Sequence, residues 1–423
     1  MTKLAFIRSV EIQQTFPYLA GLKSIFANEN ISAKLFFTDG ECSAEDFPGE
    51  TEKLPEDISP NDLVEKLLDW RPDSVVSLSI PDEHALRDAI VGEILSDLHI
   101  PAVAHPVIAG QILSNKWETK LLVQQFGIKT PQGMLLDGDL LNKRNVSVPA
   151  YHDLILRSAR SIGYPLLTKP LWDCLGNGIT FLPELSDLER FLASPYNGHV
   201  VLEKCVEGRL CSIEIIGQNH EYIFQPLLWK GATGPHAAFV FSEVRHSIAD
   251  DAAATELDHL KKKLVTLCNH LNVNGSLEIE MIYHEGEFQV IEINPRVSGS
   301  TTLSIAASGL NTYEALVHIA VGTWKKFCAT ARQSASDLFA IQFPFIETKK
   351  DRVLQSGFDV VKSNSFSVAG NYYPNAVLSF NRRKIDSLLS FIDSQYRLSE
   401  ETTAKIQSLV RRTKSGSEIS IAD

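Results

Sequence analysis

The sequence predicts an α/β protein at its amino-terminal end, built on a parallel, doubly wound sheet, and an α+β protein with antiparallel strands beyond it. Three observations carry this. Residues 4–104 alternate short apolar runs with helical patterns, the βαβα order that parallel sheets require. From residue 200 onward strands follow one another with short connections, ending in a hairpin about Gly286. Hydrophobic residues make up 44% of the chain and charged residues 22%, the balance of a globular protein with buried cores.

Taken in order, a strand over 4–7 precedes a helix over 19–28 and a strand over 33–37. An acidic loop over 41–56 leads to a helix over 63–70, a strand over 74–78, a helix over 84–98 and a strand over 102–104. The first turn lacks G-x-G-x-x-G, so no dinucleotide site is read there. One helix over 107–126 carries Lys116 and stops at Gly127. A strand over 133–136, a polar loop over 137–149, a helix over 151–162 and a strand over 164–169 follow. Strands over 200–205, 211–216 and 222–229 come next. Leu257, Leu260, Leu264, Leu267 and Leu271 then mark one side of an amphipathic helix, with Lys261, Lys262 and Lys263 as its solvated face. The hairpin strands cover 276–282 and 288–294; strands over 339–345 and 376–380 and a helix over 385–394 complete the pattern, and the tail over 414–423 frays.

The chain has 423 residues, a length that suggests roughly two to four domains. Its net charge of -12 argues against a nucleic-acid or anionic-membrane partner. Six cysteines form no C-x-x-C pair and no Cys/His spacing that suggests zinc; they read as reduced thiols of a cytoplasmic protein. The first residues are too short an apolar run for a signal peptide. No stretch approaches the roughly 20 apolar residues of a membrane helix.

Chemistry concentrates at Ile291-Glu292-Ile293-Asn294-Pro295-Arg296. Ile291 and Ile293 alternate with Glu292 and Asn294, so two oxygen-bearing side chains share a face. Pairing around the hairpin sets Glu280 opposite Glu292. Facing carboxylates repel unless a cation lies between them, and Mg²⁺ completes such a set with waters and phosphate oxygens. A solvated polar sheet face gives the same alternation; Asn294-Pro295-Arg296 and the following Val297-Ser298-Gly299-Ser300-Thr301 favour the metal. Arg296 offers a bidentate fork for a carboxylate, with an ion pair to Glu278 or Glu280 as its alternative. This combination suggests an enzyme acting on ATP and a carboxylate.

The same residues resemble the metal-binding signature of the ATP-grasp superfamily, especially its carboxylate-amine ligases such as L-amino acid ligases and carbamoyl-phosphate-synthase-like enzymes. Further pieces occur in that family's order. Gly275-Ser276-Leu277-Glu278-Ile279-Glu280 resembles the strand carrying the other metal ligand, at Glu280. Tyr164-Pro165-Leu166-Leu167-Thr168-Lys169-Pro170 resembles the strand whose lysine meets ATP phosphates, and Asn115-Lys116 resembles the site of the first ATP lysine. Leu175-Gly176-Asn177-Gly178-Ile179 resembles the glycine-rich loop over the phosphates, where Gly176 and Gly178 let backbone amides come close; the preceding Leu171-Trp172-Asp173-Cys174 is bulkier than the family pattern. Leu202-Glu203-Lys204-Cys205-Val206-Glu207-Gly208 resembles the hinge that receives adenine and ribose.

The resemblance covers residues 3–325 and implies a Rossmann-like domain over 1–108. An ATP-grasp small lobe over 109–205, a central lobe with the metal site over 206–333 and a small α+β subdomain over 334–423 follow. It implies Mg²⁺ held by Glu280, Glu292 and Asn294, with Mn²⁺ as an alternative. ATP would lie on Lys116, Lys169, Gly176, Gly178, Glu203, Lys204, Val206 and Glu207, with Arg296 as the catalytic clamp. Glu203 would accept from the adenine amino group and Glu207 from ribose; Glu214 would reach Lys169 or the nucleotide, or be structural. His236, Glu243, Arg245 and His246 are candidates for the acceptor site, and Ser298, Ser300 and Thr301 either line the acid site or cap the next helix. The implied reaction makes an amide through an acyl phosphate, releasing ADP and phosphate, by default from amino acids, in a cytoplasmic enzyme for which a homodimer is an expectation. The alternatives are an ATP-grasp enzyme using bicarbonate or a purine-pathway intermediate, and a catalytically silent ATP-binding regulator. A lid over 174–178 would exclude water from the acyl phosphate.

Overall fold

A computed structural model describes residues 1–144, 146–172, 176, 178–194, 198–234, 243–333, 337–349, 357–368 and 371–415, with the backbone alone at 365–368, 371–372 and 414–415. The amino-terminal part contains β1 (Thr2–Arg8), α1 (Lys23–Asn28), β2 (Ile31–Phe37), β3 (Glu50–Lys53), α2 (Pro60–Trp70), β4 (Ser74–Ser77), α3 (Asp82–Asp97) and β5 (Ala102–Val103). Its strands form a parallel sheet in the order β3-β2-β1-β4-β5, as the alternation implies. The expected acidic loop thus holds an edge strand, β3, whose charged Glu52 is ion-paired with Lys34 of β2. Both faces of the sheet are buried. Ala5, Ile7 and Phe36 pack on Leu63 and Leu67 of α2 and Val91 and Leu95 of α3. Leu4, Phe6 and Leu35 pack on Phe26 of α1 and on Leu316 and Val317, from a helix some 300 residues later in the chain.

Next come α4 (Val107–Ser114), α5 (Lys116–Gln125), β6 (Gly133–Leu136), α6 (Gly138–Leu141), α7 (Ala150–Ile162), β7 (Leu166–Pro170), β8 (Thr180–Leu182), α8 (Leu185–Ala193) and β9 (Val200–Lys204). The helix expected over 107–126 is two helices. Asn115 leaves the helical region (φ -93°, ψ 110°) and its side chain accepts from the amides of Trp117 and Glu118, so it caps a new helix instead of continuing the old one. In the same way Asp137 caps the short α6 inside the expected polar loop. The four strands form an antiparallel sheet in the order β6-β9-β7-β8. Leu136, Leu166 and Leu202 close it against Ile155 and Ala159 of α7 and Leu188 of α8.

The remaining elements are β10 (Gly208–Gln218), β11 (Glu221–Phe224), β12 (Leu228–Thr233), β13 (Arg245–His246), α9 (Asp251–His270), β14 (Gly275–His284), β15 (Glu287–Asn294), α10 (Thr301–Ser308), α11 (Thr312–Ala320) and α12 (Trp324–Gln333). After them come β16 (Leu338–Pro344), β17 (Glu347–Thr348), β18 (Phe358–Val368), β19 (Asn371–Asn381), α13 (Leu388–Gln395), β20 (Tyr396–Arg397) and α14 (Glu400–Ser415). One sheet runs β15-β14-β10-β12-β13-β16-β19-β18, with β11 also on β10. The strands after residue 337 therefore continue the sheet that carries the hairpin, joined through the two-residue β13. The α9 leucines pack on Ile213, Ile279 and Ile293. Along β16, Phe339, Ile341 and Phe343 face α13 and α14, while Ala340 lies on α10. β18, α10–α12 and α14 were not distinguished in the sequence. β18 alternates polar residues such as Lys362 and Asn364 on a half-exposed edge, where no apolar run announces a strand. Among the described residues no helix is long and apolar enough to cross a membrane.

Candidate functional site

The break at Asn115 decides where Lys116 points. At the first position of α5, its Nζ donates to Glu292 Oε1 at 2.8 Å. One turn on, Lys120 shares that side of the helix. Its ammonium, 5% exposed, donates to Thr130 Oγ1 (2.8 Å) and Pro131 O (2.6 Å) and pairs with Glu203 at 2.9 Å. Lys169, at the end of β7, pairs with the other Glu203 oxygen at 2.6 Å. Burial alone would raise the Glu203 carboxyl, but the two ammoniums outweigh it and hold it below the usual range. The carboxylate expected to meet adenine is therefore the counter-ion of a buried Lys120–Glu203–Lys169 triad. The helical spacing from Lys116 was the available signal for Lys120.

The hinge after β9 is partly committed to the fold. The Lys204 amide donates to Gln132 O at 2.8 Å, and its ammonium caps the carbonyls of Gly163 and Tyr164. The Val206 carbonyl accepts from Thr233 Oγ1. Glu207 is exposed, beside Gly234. Of the glycine-rich loop, Gly176 and Gly178 are described and have φ of 74° and 79°; a Cβ at Gly178 would stand 2.7 Å from Pro170 Cγ, so both conformation and space select glycine there. The remainder of the expected lid, Cys174, Leu175 and Asn177, lies outside the described residues.

The hairpin register sets Glu280 against Glu292 and Glu278 against Asn294, the pairing the sequence implies. The simple alternation in β15 is broken, however. A bulge leaves Ile291 without a partner between Val290 and Glu292, re-aiming the strand, so Ile291 lines the cleft together with Glu292 while Ile293 stays in the core. Lys230 of β12, 6% exposed, lies between Glu278 and Glu280 and donates to both at 2.7 Å. Burial lowers its proton affinity, but the two carboxylates more than restore it, and Lys230 in turn holds Glu278 low against burial. Burial and Glu280 push Glu292 up against Lys116. Lys230 has no sequence signature; it became legible only when β12 was placed beside β10.

Arg296 does not pair with Glu278 or Glu280. Its Nε donates to Asp82 at the start of α3, and its Nη2 to Asn294 Oδ1 at 3.0 Å. Glu214 reaches neither Lys169 nor the hinge. It is 1% exposed, and one of its oxygens accepts from Ser298 Oγ (3.2 Å) and from the Thr301 hydroxyl. Burial pushes its carboxyl up to about 8. Ser298 and Ser300 line the cleft, and Ser300 makes no side-chain cap to α10.

These groups surround one cleft of about 830 Å³. One end is apolar, with Leu167, Ile179, Val206, Leu210 and Ile282; Lys116, Lys169 and the hairpin acids follow, and β1, β16, β18 and β19 border the far end. Glu243 and Arg245 line it as well, and Glu243 is bonded by Lys405 of α14 at 2.8 and 2.9 Å. His246 accepts from the Ile248 amide, and burial holds its proton affinity down, to about 3; it is a neutral structural group. His236 lies outside the described residues.

The family model described as an ATP-grasp domain matches residues 113–300. Carbamoyl-phosphate synthase of Methanobrevibacter smithii is 26% identical over 256 residues, 59% of this chain and 64% of its own length; the chain thus spans less than two thirds of that relative, and 21% of the carbamoyl phosphate synthase large chain of Clostridium perfringens. Among solved structures, the biotin carboxylase domain dimer of Hydrogenobacter thermophilus 2-oxoglutarate carboxylase, in complex with MgADP and bicarbonate, superposes with a TM-score of 0.69 at 14% identity, covering 99% of this chain and 96% of that one. The L-amino acid ligase of Bacillus licheniformis superposes with a TM-score of 0.65 at 16% identity, covering 95% and 99%. Residues 113–300 thus match an ATP-grasp domain, and the superposed structures share the fold of the chain.

Proposed function

We propose that the chain is an ATP-dependent ligase that joins a carboxylate to an amine through an acyl phosphate, with amino acids as its substrates. The observation that carries this is the rung pairing Glu280 with Glu292, with Lys116 and Arg296 converging on the same hairpin end. The residues fit a hard divalent cation: Glu280, Glu292 and Asn294 present oxygen donors, and the carboxylates are balanced by Lys116 and Lys230, with the buried Arg245 close enough to Glu280 to contribute. Bound there, Mg²⁺ would neutralise phosphate charge and polarise the γ-phosphate.

The protein's own part is positioning and charge balance. Adenine enters the apolar end, where the Lys204 carbonyl and Val206 amide are the candidates for its edge; Glu207 stands at the rim for ribose. Lys116 and Lys169 hold phosphates, with Gly176 and Gly178 allowing close approach. Arg296 holds the acid while a carboxylate oxygen attacks the γ-phosphorus and ADP leaves. The amine then attacks the acyl carbon, phosphate leaves and the ammonium proton is lost. In this reading residues 1–108, 109–205, 206–333 and 334–423 act as amino-terminal domain, small lobe, central lobe and carboxy-terminal subdomain. Purified protein with Mg²⁺ and ATP, screened against amino-acid pairs, should release ADP and phosphate only when an acid and an amine are both present. ATP binding with no release for any pair would refute the ligase in favour of a silent nucleotide-binding protein. Light scattering tests the homodimer.

A further inference from the structure

The cations lining the cleft fall into two groups. Lys116, Lys169, Lys230 and Arg296 each face a carboxylate. Arg8 and Lys362, at the far end, hold only main-chain carbonyls among the described residues, as Lys204 does at the hinge. Arg8 ends β1 and is 1% exposed. Its Nη1 donates to Leu78 O at 3.1 Å and its Nη2 to Glu11 O at 3.3 Å; its buried Nε has no acceptor among the described residues. Lys362 of β18 donates to the carbonyls of Gln13 and Gln14 at 3.2 Å.

Two cations thus reach one turn, residues 11–14, from opposite ends of the chain. Burial first, and then Arg8, bring the Lys362 ammonium down to about 8, and among the described residues no carboxylate offsets either group. Carbonyl dipoles compensate a buried charge only in part. Beside the two cations on the cleft wall are neutral groups whose hydroxyl or amide N–H could donate to an anion: Tyr313, Asn364 and Asn375. The arrangement is that of a built anion site, separate from the phosphate lysines, whose charges the protein's own acids already balance.

We propose that this end of the cleft receives a second anionic group, a carboxylate or phosphate borne by a substrate away from its reacting carbon. The inference rests on the ligase reading and deepens it: it assigns Arg8 and Lys362 to an anion that the joined molecules carry and the reaction does not consume.

The full chain, saturated with MgADP, is titrated calorimetrically with acetate, succinate and β-alanine, in the wild type and in Lys362→Gln and Arg8→Gln. Succinate carries the extra anion on the acid, β-alanine on the amine. The expected result is a loss of about tenfold or more in affinity for one of these two in Lys362→Gln, the size of one charge-assisted hydrogen bond, with acetate unaffected; the compound affected names the source. Arg8→Gln is expected to act in the same direction, and Lys362, half-buried on an edge strand, is the variant least exposed to a folding defect. Equal affinity in Lys362→Gln for all three compounds, or no wild-type binding of succinate or β-alanine at about 50 mM, overturns the site. MgADP affinity is read in the same experiment. Its absence in the wild type would sink the ligase reading on its own, whatever the carboxylates do.

Discussion

Arg296 and Asp82, 214 residues apart in the sequence, form an ion pair that fastens the end of β15 to the first turn of α3. Both side chains are nearly buried, with exposures of 11% and 10%. In the proposed ligase this guanidinium is pre-aimed by an acid from the amino-terminal part, and a substrate carboxylate would share the fork with Asp82. Arg296→Ala should raise KM for the acid by about tenfold to a hundredfold and leave KM for ATP nearly unchanged, as initial rates with each substrate varied would report. The same variant strands Asp82, so its melting temperature should fall; adding Asp82→Asn should recover part of that loss, giving a coupling in the double-mutant cycle. Equal losses for acid and ATP would remove Arg296 from the acid site.

Glu292→Gln keeps the shape of the hairpin end but removes one of two facing charges and the partner of Lys116. Turnover should fall by about a hundredfold or more, while the fold survives because burial already disfavours the charged form of Glu292. Phosphate release and a thermal melt measured side by side check both halves. A fully active variant would remove Glu292 from the metal set.

Glu203→Gln takes away the carboxylate that, among the described residues, pairs with both Lys120 and Lys169. Two buried ammoniums then face each other, at a cost of about 3–5 kcal/mol, read by urea denaturation. Lys120→Met should cost less, because Glu203 keeps Lys169. Nucleotide affinity should drop in the first variant well beyond its drop in the second; the reverse order would put the phosphate-binding role on Lys120.

Glu214 makes stability depend on pH. Its carboxyl titrates near 8 in the folded chain against an ordinary 4.5, so between these values the folded state keeps a proton that the unfolded chain has given up. Its contribution is fully present below about 4.5 and is lost as pH rises toward 8, at up to about 1.4 kcal/mol per pH unit. Glu214→Gln retains an acceptor for Ser298 and Thr301 and should flatten this slope, melting higher than the wild type at pH 8. Melting curves from pH 5 to 8.5, about one unit apart, test this; parallel curves for the two proteins would refute it.

Strand and helix patterning, and the rung joining Glu280 to Glu292, were legible because they follow from local periodicity and from a two-stranded register. Charge partners were not. Asp82 for Arg296, Lys230 for Glu278, and Arg8 with Lys362 each join segments that only the tertiary fold brings together. Local capping also outweighed pattern: Asn115 reads as one more helical residue in a helical stretch, yet its side chain ends one helix and starts the next, which is what turns Lys116 toward Glu292. At Ile291 a bulge overrode the alternation that made the motif recognisable. β18 escaped because an edge strand with one wet face need not be apolar.

The sheet that carries the acidic hairpin continues without interruption into β16, β19 and β18. Residues bordering the apolar end of the cleft and residues bordering its far end are thus separated along the polypeptide but hydrogen-bonded into one sheet. In the proposed ligase, exchanges confined to β18 and β19 would reshape the far wall of the cleft without touching the hairpin that carries Glu280 and Glu292.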